Sequence, residues 1–213
     1  SILNVSNSKS KILFLCSPNN PTGNSFSSIE VENLLNTFEG IVVIDEAYID
    51  FSKQRSWLDR LEEFPNLIVT QTLSKAYGMA GIRLGICYAS AEIIAILNTI
   101  KPPYNVNELT QNKAIENLNN ADLVKNQIGD ILKEREDLIN ELNKINFISK
   151  IYPSDANFIL IKVDDANKRY NQLISKGIVI RNRTNQHGCE NCLRITVGTS
   201  IENKRLLKIL KEL

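Results

Sequence analysis

The stretch TQTLSKAYGMAGIRLG, residues 70–85, decides how the rest of the sequence is interpreted. It follows the apolar run at residues 67–69, which is typical of a buried β-strand, and it continues with hydroxyl side chains, one lysine, small residues and one arginine. Small residues at the end of a strand let another molecule approach the backbone closely. Thr72, Ser74 and Arg83 belong to residue types that bind phosphate, because hydroxyls donate hydrogen bonds and a guanidinium makes bidentate contacts. The stretch therefore predicts a phosphate-binding strand end.

Lys75 lies inside this predicted phosphate site. A lysine amine beside a bound phosphate indicates pyridoxal phosphate, because the aldehyde of that cofactor forms a Schiff base with a lysine. The alternative is a solvated surface lysine, since most lysines are of that kind. The stretch alone leaves both interpretations open, and the other strand ends of the chain have to distinguish them.

Length, composition and charge exclude several classes of protein. The chain has 213 residues, enough for one domain or two small ones, and it is 43% hydrophobic and 23% charged with a net charge of +1. It contains no basic block, so we expect neither nucleic acid nor a membrane surface as a partner. No apolar run reaches the roughly 18 residues of a membrane helix. Residues 1–10 are polar and lack the apolar core of a signal peptide, so we expect a cytoplasmic protein.

The four cysteines do not form the pattern of a disulfide framework. Cys16 and Cys87 lie in strand-like runs and are predicted to be buried thiols. Cys189 and Cys192 form a C-x-x-C pair just after His187, the single histidine of the chain. A zinc site normally needs a second pair of ligands, so the sequence favours a plain loop and predicts no metal site.

Strand-like and helical patterns alternate through the first half of the chain. The patterns predict strands at 11–16, 41–44, 67–72 and 83–88, and helices at 27–38 and 57–64. This alternation predicts an α/β domain with a largely parallel sheet, in which ligands bind beyond the carboxyl ends of the strands. Polar clusters follow three of these strands, at Asn20, at Asp45 with Tyr48, and at Ser74 with Lys75. We therefore expect these side chains to converge on one ligand.

The second half of the chain changes character. Helices are predicted at 91–101, 107–118 and 121–145, followed by strands at 158–163, 178–181 and 193–197 and helices at 166–176 and 201–213. The helix at 121–145 is long enough to connect two domains. We therefore predict a large domain at 1–120, a connecting helix at 121–147 and a small α+β domain at 148–213.

Taken together, the strand ends resemble one known family. The segments SPNNPTG (17–23), DEAY (45–48), TLSK (72–75) and GIRLG (81–85) resemble successive motifs of the fold-type I pyridoxal-phosphate aminotransferases. Within that family, KPPYN (101–105) and CLRITVGT (192–199) are similar to the histidinol-phosphate aminotransferases. The resemblance covers essentially the whole chain, and several motifs in the right order are far more specific than any one of them. It implies an incomplete aspartate-aminotransferase-like large domain with a small C-terminal domain.

The resemblance assigns catalytic roles to matching residues. It implies that Lys75 forms the Schiff base with pyridoxal phosphate and later moves a proton between substrate and cofactor carbons. Asp45 would pair with the pyridine nitrogen and so make the ring an electron sink. Asn20 and Tyr48 would bind the phenolic oxygen of the ring.

The resemblance also implies which residues bind the cofactor phosphate and the anionic group of the substrate. The cofactor phosphate would be bound by Thr72, Ser74 and Arg83. Arg194 would bind the anionic group of the substrate, and Arg181 would assist it. For Arg181, a solvated strand edge is an equally good interpretation. Asn157 would line the substrate pocket.

The implied reaction is amino transfer from histidinol phosphate to 2-oxoglutarate, which gives imidazole-acetol phosphate and glutamate by a ping-pong route. A homodimer is implied as well. A threonine-phosphate decarboxylase and an aromatic or aspartate-type aminotransferase remain as alternatives within the fold. A non-catalytic remnant that only binds a ligand remains as an alternative of another class.

The chain departs from the family pattern at its start. Complete members have a substantial segment before the motif at 17–23, and that segment supplies strands of the sheet and part of the phosphate site. We therefore expect this chain to be a fragment of a longer enzyme, with a truncated gene or a cropped sequence as alternatives. On that basis we expect it to bind the cofactor weakly and to turn over poorly by itself.

Overall fold

The computed structural model describes residues 2–213, and the chain divides into two compact units. The first unit contains residues 2–18 and 25–124, and the second contains residues 19–24 and 125–213. The predicted domains at residues 1–120, 121–147 and 148–213 have other boundaries than these two units and stay a prediction. Each unit has its own four-stranded sheet.

The first unit is built on a mostly parallel sheet. Its strands are β1 (Ile12–Cys16), β2 (Ile41–Asp45), β3 (Leu67–Thr72) and β4 (Gly85–Ala89), and they lie in this order. The first three strands are parallel, and β4 pairs with β3 in the antiparallel direction. The predicted α/β fold class with a largely parallel sheet is confirmed.

One face of this sheet is covered by a helix. Helix α2 (Ser28–Thr37) buries Val31, Leu34 and Leu35 against strand residues that include Val42 and Ile44, which are both fully buried. A short 3₁₀ helix (Trp57–Glu63) packs against the same core. Uninterrupted β-branched residues in a central strand suit such a position, because their branched side chains fill the space between strand and helix.

The opposite face is open at β1, and we call it the open face. It is defined by Ile12, Phe14 and Cys16 and by the residues in register with them on β2, which include Val43 and Asp45. Ile12 is 58% exposed and Phe14 is 69% exposed. The carboxyl ends of β1, β2 and β3 lie side by side at one edge of the sheet, because these strands are parallel.

Four further helices precede the second sheet in sequence: α1 (Ile2–Val5), α3 (Ala91–Ile100), α4 (Glu108–Leu118) and α5 (Ala121–Leu142). The short helix α1 was not expected from the polar start of the chain. Strand β4 begins later than predicted because a 3₁₀ turn (Ala80–Ile82) ends at Arg83 in the left-handed conformation, with a φ of 56°. Helix α5 is shorter than predicted because the chain turns directly after it, with the Ile145 N–H donating to the Leu142 carbonyl at 3.1 Å.

The second unit has an antiparallel sheet in the order β5-β6-β8-β7. Its elements after α5 are β5 (Ile148–Ile151), β6 (Phe158–Val163), α6 (Ala166–Ser175), β7 (Arg181–Asn182), β8 (Cys192–Thr196) and α7 (Ser200–Lys211). Residues of β6 and β8 that face the helices, such as Ile159, Ile161 and Ile195, form the core with α5, α6 and α7. Strand β5 was not predicted, and the strand predicted at 178–181 is reduced to β7. Within residues 2–213, no helix is both long and apolar enough to cross a membrane.

Candidate cofactor and anion sites

Asp45 ends β2 at the carboxyl edge of the parallel strands. It lies in one row of the sheet with Cys16 of β1 and Thr70 of β3. Its Oδ1 accepts a hydrogen bond from the backbone N–H of Ala47 at 3.0 Å, and the Cys16 thiol lies 3.9 Å from Oδ2. Partial burial and the neighbouring Asp45 carboxylate raise the pKa of the Cys16 thiol, so the thiol stays protonated. The Asp45 carboxylate is therefore held in one orientation on the open face.

Lys75 lies in the turn that follows β3, beside Tyr48. Its Nζ is 5.3 Å from the centre of the Tyr48 ring, a distance at which the face of the ring attracts an ammonium. Tyr48 is buried and Lys75 is exposed. The Gly78 N–H donates to the Lys75 carbonyl at 3.0 Å, and Gly78 has a φ of 64°, which favours glycine. The structure thus brings two residues of separate motifs together in the first unit.

Thr72 is the last residue of β3, and Ser74 follows it in the same turn as Lys75. The Thr72 hydroxyl accepts from the Ser74 N–H at 3.1 Å and donates to the Leu84 carbonyl at 3.3 Å. Arg83 lies next to Leu84, and its guanidinium donates to the Ala80 carbonyl at 2.9 Å. Arg83 is exposed, and the ion pairs within residues 2–213 do not include it. Its charge is therefore available to an external anion.

The donor set of the first unit fits pyridoxal phosphate chemically. A lysine amine matches the aldehyde, a carboxylate matches a protonated ring nitrogen, and hydroxyls with a guanidinium match a phosphate. All six predicted cofactor residues of this unit follow or end strands of one sheet: Asp45, Tyr48, Thr72, Ser74, Lys75 and Arg83.

The second unit contains a pair of predicted site residues in direct contact. The Arg194 guanidinium donates from Nη1 to Asn20 Oδ1 at 2.6 Å, although the two residues lie 174 positions apart in sequence. The guanidinium carbon of Arg194 also lies 4.8 Å from the centre of the Phe158 ring. Both contacts restrict the orientation of the planar guanidinium. Asn20, predicted as a cofactor residue, thus groups with the predicted substrate residues.

Arg181 lies directly opposite Arg194 on the neighbouring strand β7. Residues in register on adjacent strands point to the same face of a sheet, and like charges in this arrangement repel each other. Arg181 is exposed and takes part in no ion pair within the described residues 2–213. Two guanidiniums on one face are the arrangement that an anionic ligand stabilises.

Asn157 lies in a segment that is anchored from two sides. The buried Arg135 of α5 donates to the Ala156 carbonyl at 2.8 Å, and burial lowers the pKa of Arg135. The Asp155 N–H donates to the Gly23 carbonyl at 2.7 Å, which attaches the turn at 19–24 to this segment. A Cβ at Gly23 would lie 2.6 Å from the Ser154 Oγ, so this close approach requires glycine.

Sequence reasoning missed Arg135 and also Glu46, a buried carboxylate next to Asp45. A signal for Arg135 was present, because it continues the apolar spacing of Ile131, Leu138 and Leu142 along α5. An arginine on an apolar stripe indicates a specific buried partner. Glu46 had no comparable signal in the sequence.

The cysteines divide into two groups. Cys189 and Cys192 are buried, and burial is the main cause that raises the pKa of both thiols. Cys16 and Cys87 were predicted to be buried, and this was wrong: both are exposed, because the face of the sheet that carries them is not covered within this unit. Among residues 2–213 there is no group of three or more His, Cys, Asp or Glu side chains arranged to hold a metal ion.

The fold and these strand ends together define a class of protein, and the chain belongs to the aminotransferase class I and II family, whose profile matches residues 2–210. Two similar relatives share one name within this family. It is 64% identical over 210 residues to the histidinol-phosphate aminotransferase of Flavobacterium johnsoniae, covering 99% of this chain and 60% of the relative. It is 65% identical over 203 residues to that of Christiangramia forsetii, covering 95% of this chain and 58% of the relative.

A solved structure agrees with the fold. The histidinol-phosphate aminotransferase of Clostridium acetobutylicum superposes with a TM-score of 0.90 at 28% identity, covering 95% of this chain and 63% of the other. The chain thus spans about 60% of the length of the curated relatives that it matches.

Proposed function

We propose that this chain carries the pyridoxal-phosphate site and the substrate-anion site of a histidinol-phosphate aminotransferase. The observation that carries the proposal is the position of the Lys75 amine, 5.3 Å from the centre of the Tyr48 ring and in the turn that links Ser74 to the end of β3 at Thr72. The names of the relatives support the substrate. When bound, pyridoxal phosphate supplies an electron sink for the bonds at the α carbon of an amino substrate.

Lys75 would supply the amine that matches the cofactor aldehyde. Its amine is exposed and takes part in no ion pair within residues 2–213, so no carboxylate of this part of the chain competes for it. Tyr48 restricts its position through the ring face and presents a phenol nearby. With cofactor and an amino substrate bound, the Lys75 amine would act as the base that moves a proton, since a positioned amine is an effective general base.

The remaining residues of the first unit hold the cofactor in place. Asp45 pairs with the ring nitrogen, and its hydrogen bond from Ala47 fixes the orientation of the carboxylate. Thr72, Ser74 and Arg83 bind the cofactor phosphate, with Arg83 contributing the charge.

The substrate anion is bound in the second unit. Arg194 and Arg181 bind the phosphate of histidinol phosphate, Asn20 orients Arg194 through their hydrogen bond, and Asn157 lines the pocket. The same pair accepts a carboxylate of glutamate or 2-oxoglutarate in the second half of the reaction. A cytoplasmic homodimer is part of the same proposal.

Borohydride reduction in the presence of pyridoxal phosphate, followed by peptide mapping, tests the cofactor site. We expect a pyridoxyl group on Lys75, its loss in Lys75→Ala, and no change in Lys53→Ala, which removes an exposed lysine of the same unit. Equal labelling of several exposed lysines would contradict an enzyme site and favour a non-catalytic remnant.

The substrate is tested separately by product analysis. Histidinol phosphate with 2-oxoglutarate should give glutamate, whereas release of carbon dioxide from threonine phosphate would indicate the decarboxylase instead.

A further inference from the structure

Glu46 is the one buried carboxylate within the described residues 2–213, with 1% of its surface exposed. It follows Asp45 directly, and successive side chains of an extended strand point to opposite faces. Asp45 belongs to the open face, so Glu46 belongs to the face that α2 covers. Nothing in the reaction proposed above uses Glu46.

The Glu46 carboxylate accepts three hydrogen bonds. Oε2 accepts from the Ser56 hydroxyl at 2.5 Å and from the Gln71 side-chain amide at 2.9 Å, and Oε1 accepts from the Trp57 backbone N–H at 2.7 Å. All three donors are neutral, and the ion pairs of residues 2–213 do not include Glu46. Burial of a carboxylate without a cation is unfavourable unless donors surround it, and here they do.

These hydrogen bonds join three separate segments of the first unit. Glu46 itself lies between Asp45 and Tyr48, and its backbone N–H donates to the Thr70 carbonyl at 2.8 Å. Gln71 lies on β3, the strand that leads to Lys75. Trp57 begins the 3₁₀ helix that packs on the sheet. A single buried carboxylate therefore connects the segment of Asp45 and Tyr48 with the strand of Lys75.

The geometry of residues 45–48 depends on the hydrogen bonds of Glu46. The Ala47 N–H that orients the Asp45 carboxylate belongs to the next residue, and the Ile49 N–H donates to the Glu46 carbonyl at 3.1 Å. Any displacement of Glu46 moves the donor that holds Asp45. A network in which every member is satisfied specifies one arrangement of its segments.

We propose that Glu46 is a positioning residue of the cofactor site, which fixes Asp45 and Tyr48 relative to the strand that precedes Lys75. This inference rests on the proposed function. It assigns no contact between Glu46 and the cofactor, since Glu46 acts through the peptide of residues 45–48.

Amide hydrogen exchange of the cofactor-free chain tests the local effect. Glu46→Ala should raise exchange at Ala47 and Ile49 at least tenfold, while Ile44 inside β2 stays within threefold of wild type. Glu46→Gln keeps the shape of the side chain, and the Ser56 hydroxyl and the Gln71 amide can reorient to bind the new amide. The exchange rates of this variant should therefore stay within threefold of wild type at all three positions. Glu62→Gln, an exposed carboxylate of the same 3₁₀ helix, is the matched control.

Unchanged exchange at Ala47 in Glu46→Ala would overturn the proposal. So would an equal rise at Ile44 and Ala47, because Glu46 would then only maintain the fold. If Glu46→Ala does not fold, Gln71→Met removes a single donor and is judged by the same criteria.

Affinity for pyridoxal phosphate provides the second measurement. It should fall at least tenfold in Glu46→Ala and return to within threefold of wild type in Glu46→Gln. Unchanged affinity in Glu46→Ala, with faster exchange at Ala47, would overturn the positioning role. If the wild-type chain binds no cofactor, the proposed function fails, and the exchange measurement still decides whether Glu46 positions Asp45.

Discussion

Arg194 and Arg181 illustrate how single residues indicate a ligand. They are opposite each other on adjacent strands, and two guanidiniums on one face of a sheet repel each other. Arg194 is held by the Asn20 carboxamide and the Phe158 ring, so it does not turn away from Arg181 to relieve the repulsion. An anion bound between the two guanidiniums would offset this repulsion.

Replacing Arg194 tests this interpretation. Arg194→Gln should weaken the binding of histidinol phosphate about tenfold to a hundredfold, because one hydrogen bond to a charged group contributes about 1.5–3 kcal/mol. Titration followed by NMR or calorimetry measures the change. Arg205→Gln, an exposed arginine of α7, is the matched control and should leave the affinity unchanged. Equal affinity of Arg194→Gln and wild type would show that Arg194 of β8 does not bind the anion.

Helix α6 is attached to the sheet of the second unit by Arg169. The guanidinium donates to both oxygens of Asp164, at 2.9 Å and 2.7 Å, and to the Leu213 carbonyl at 3.0 Å. It also lies 4.0 Å from the centre of the Phe147 ring. The Arg169 guanidinium lowers the pKa of the Asp164 carboxyl to about 2. One side chain therefore joins the end of β6, the start of α6 and the end of the chain.

The lowered pKa predicts how stability depends on pH. Because the folded-state pKa lies below the ordinary value, the stabilisation is fully present above about pH 4 and is lost as the pH falls towards 2. Asp164→Asn should reduce the free energy of unfolding at pH 7 by about 0.5–1 kcal/mol, since Asp164 is partly exposed and solvent screens the pair. Thermal unfolding between pH 7 and pH 2 measures this effect.

The variant and the wild type should converge at the acid end of that range. Asp130→Asn removes an exposed carboxylate of α5 and controls for net charge. A difference between Asp164→Asn and wild type that persists unchanged at pH 2 would show that the ion pair is not its source.

Strand β1 exposes large apolar side chains to solvent. Ile12 and Phe14 lie on the open face, and β1 pairs only with β2 among residues 2–213. A strand with one unpaired edge and an apolar face is a surface on which other chains assemble. The chain also spans only about 60% of the length of its relatives.

Self-association of the chain should therefore depend on this face. Phe14→Ser should weaken association about tenfold to a hundredfold, because burial of one large apolar side chain contributes about 1.5–3 kcal/mol. Sedimentation velocity over a range of micromolar concentrations measures the change. Ile29→Ser, which removes an exposed apolar side chain from α2, should have no such effect. Equal reductions in both variants would indicate non-specific association.

Most elements were predictable because their signals are local. The β-branched run of β2 and the polar residues after β3 define strands and their ends through patterns that span only a few residues. Errors occurred where local patterns are weak: β5 and α1 are short, and the strand predicted at 178–181 keeps pairing only at Arg181–Asn182.

The motifs of the cofactor site were also visible in the sequence, because each is a consecutive segment at one strand end. Their roles stay predictions until the cofactor is tested. The tertiary structure alone decided which residues meet: Arg194 with Asn20, Glu46 with Gln71, and the side of the sheet on which Phe14 is exposed. Such contacts follow from strand register and from the packing of distant segments. No periodicity within a short window contains that information.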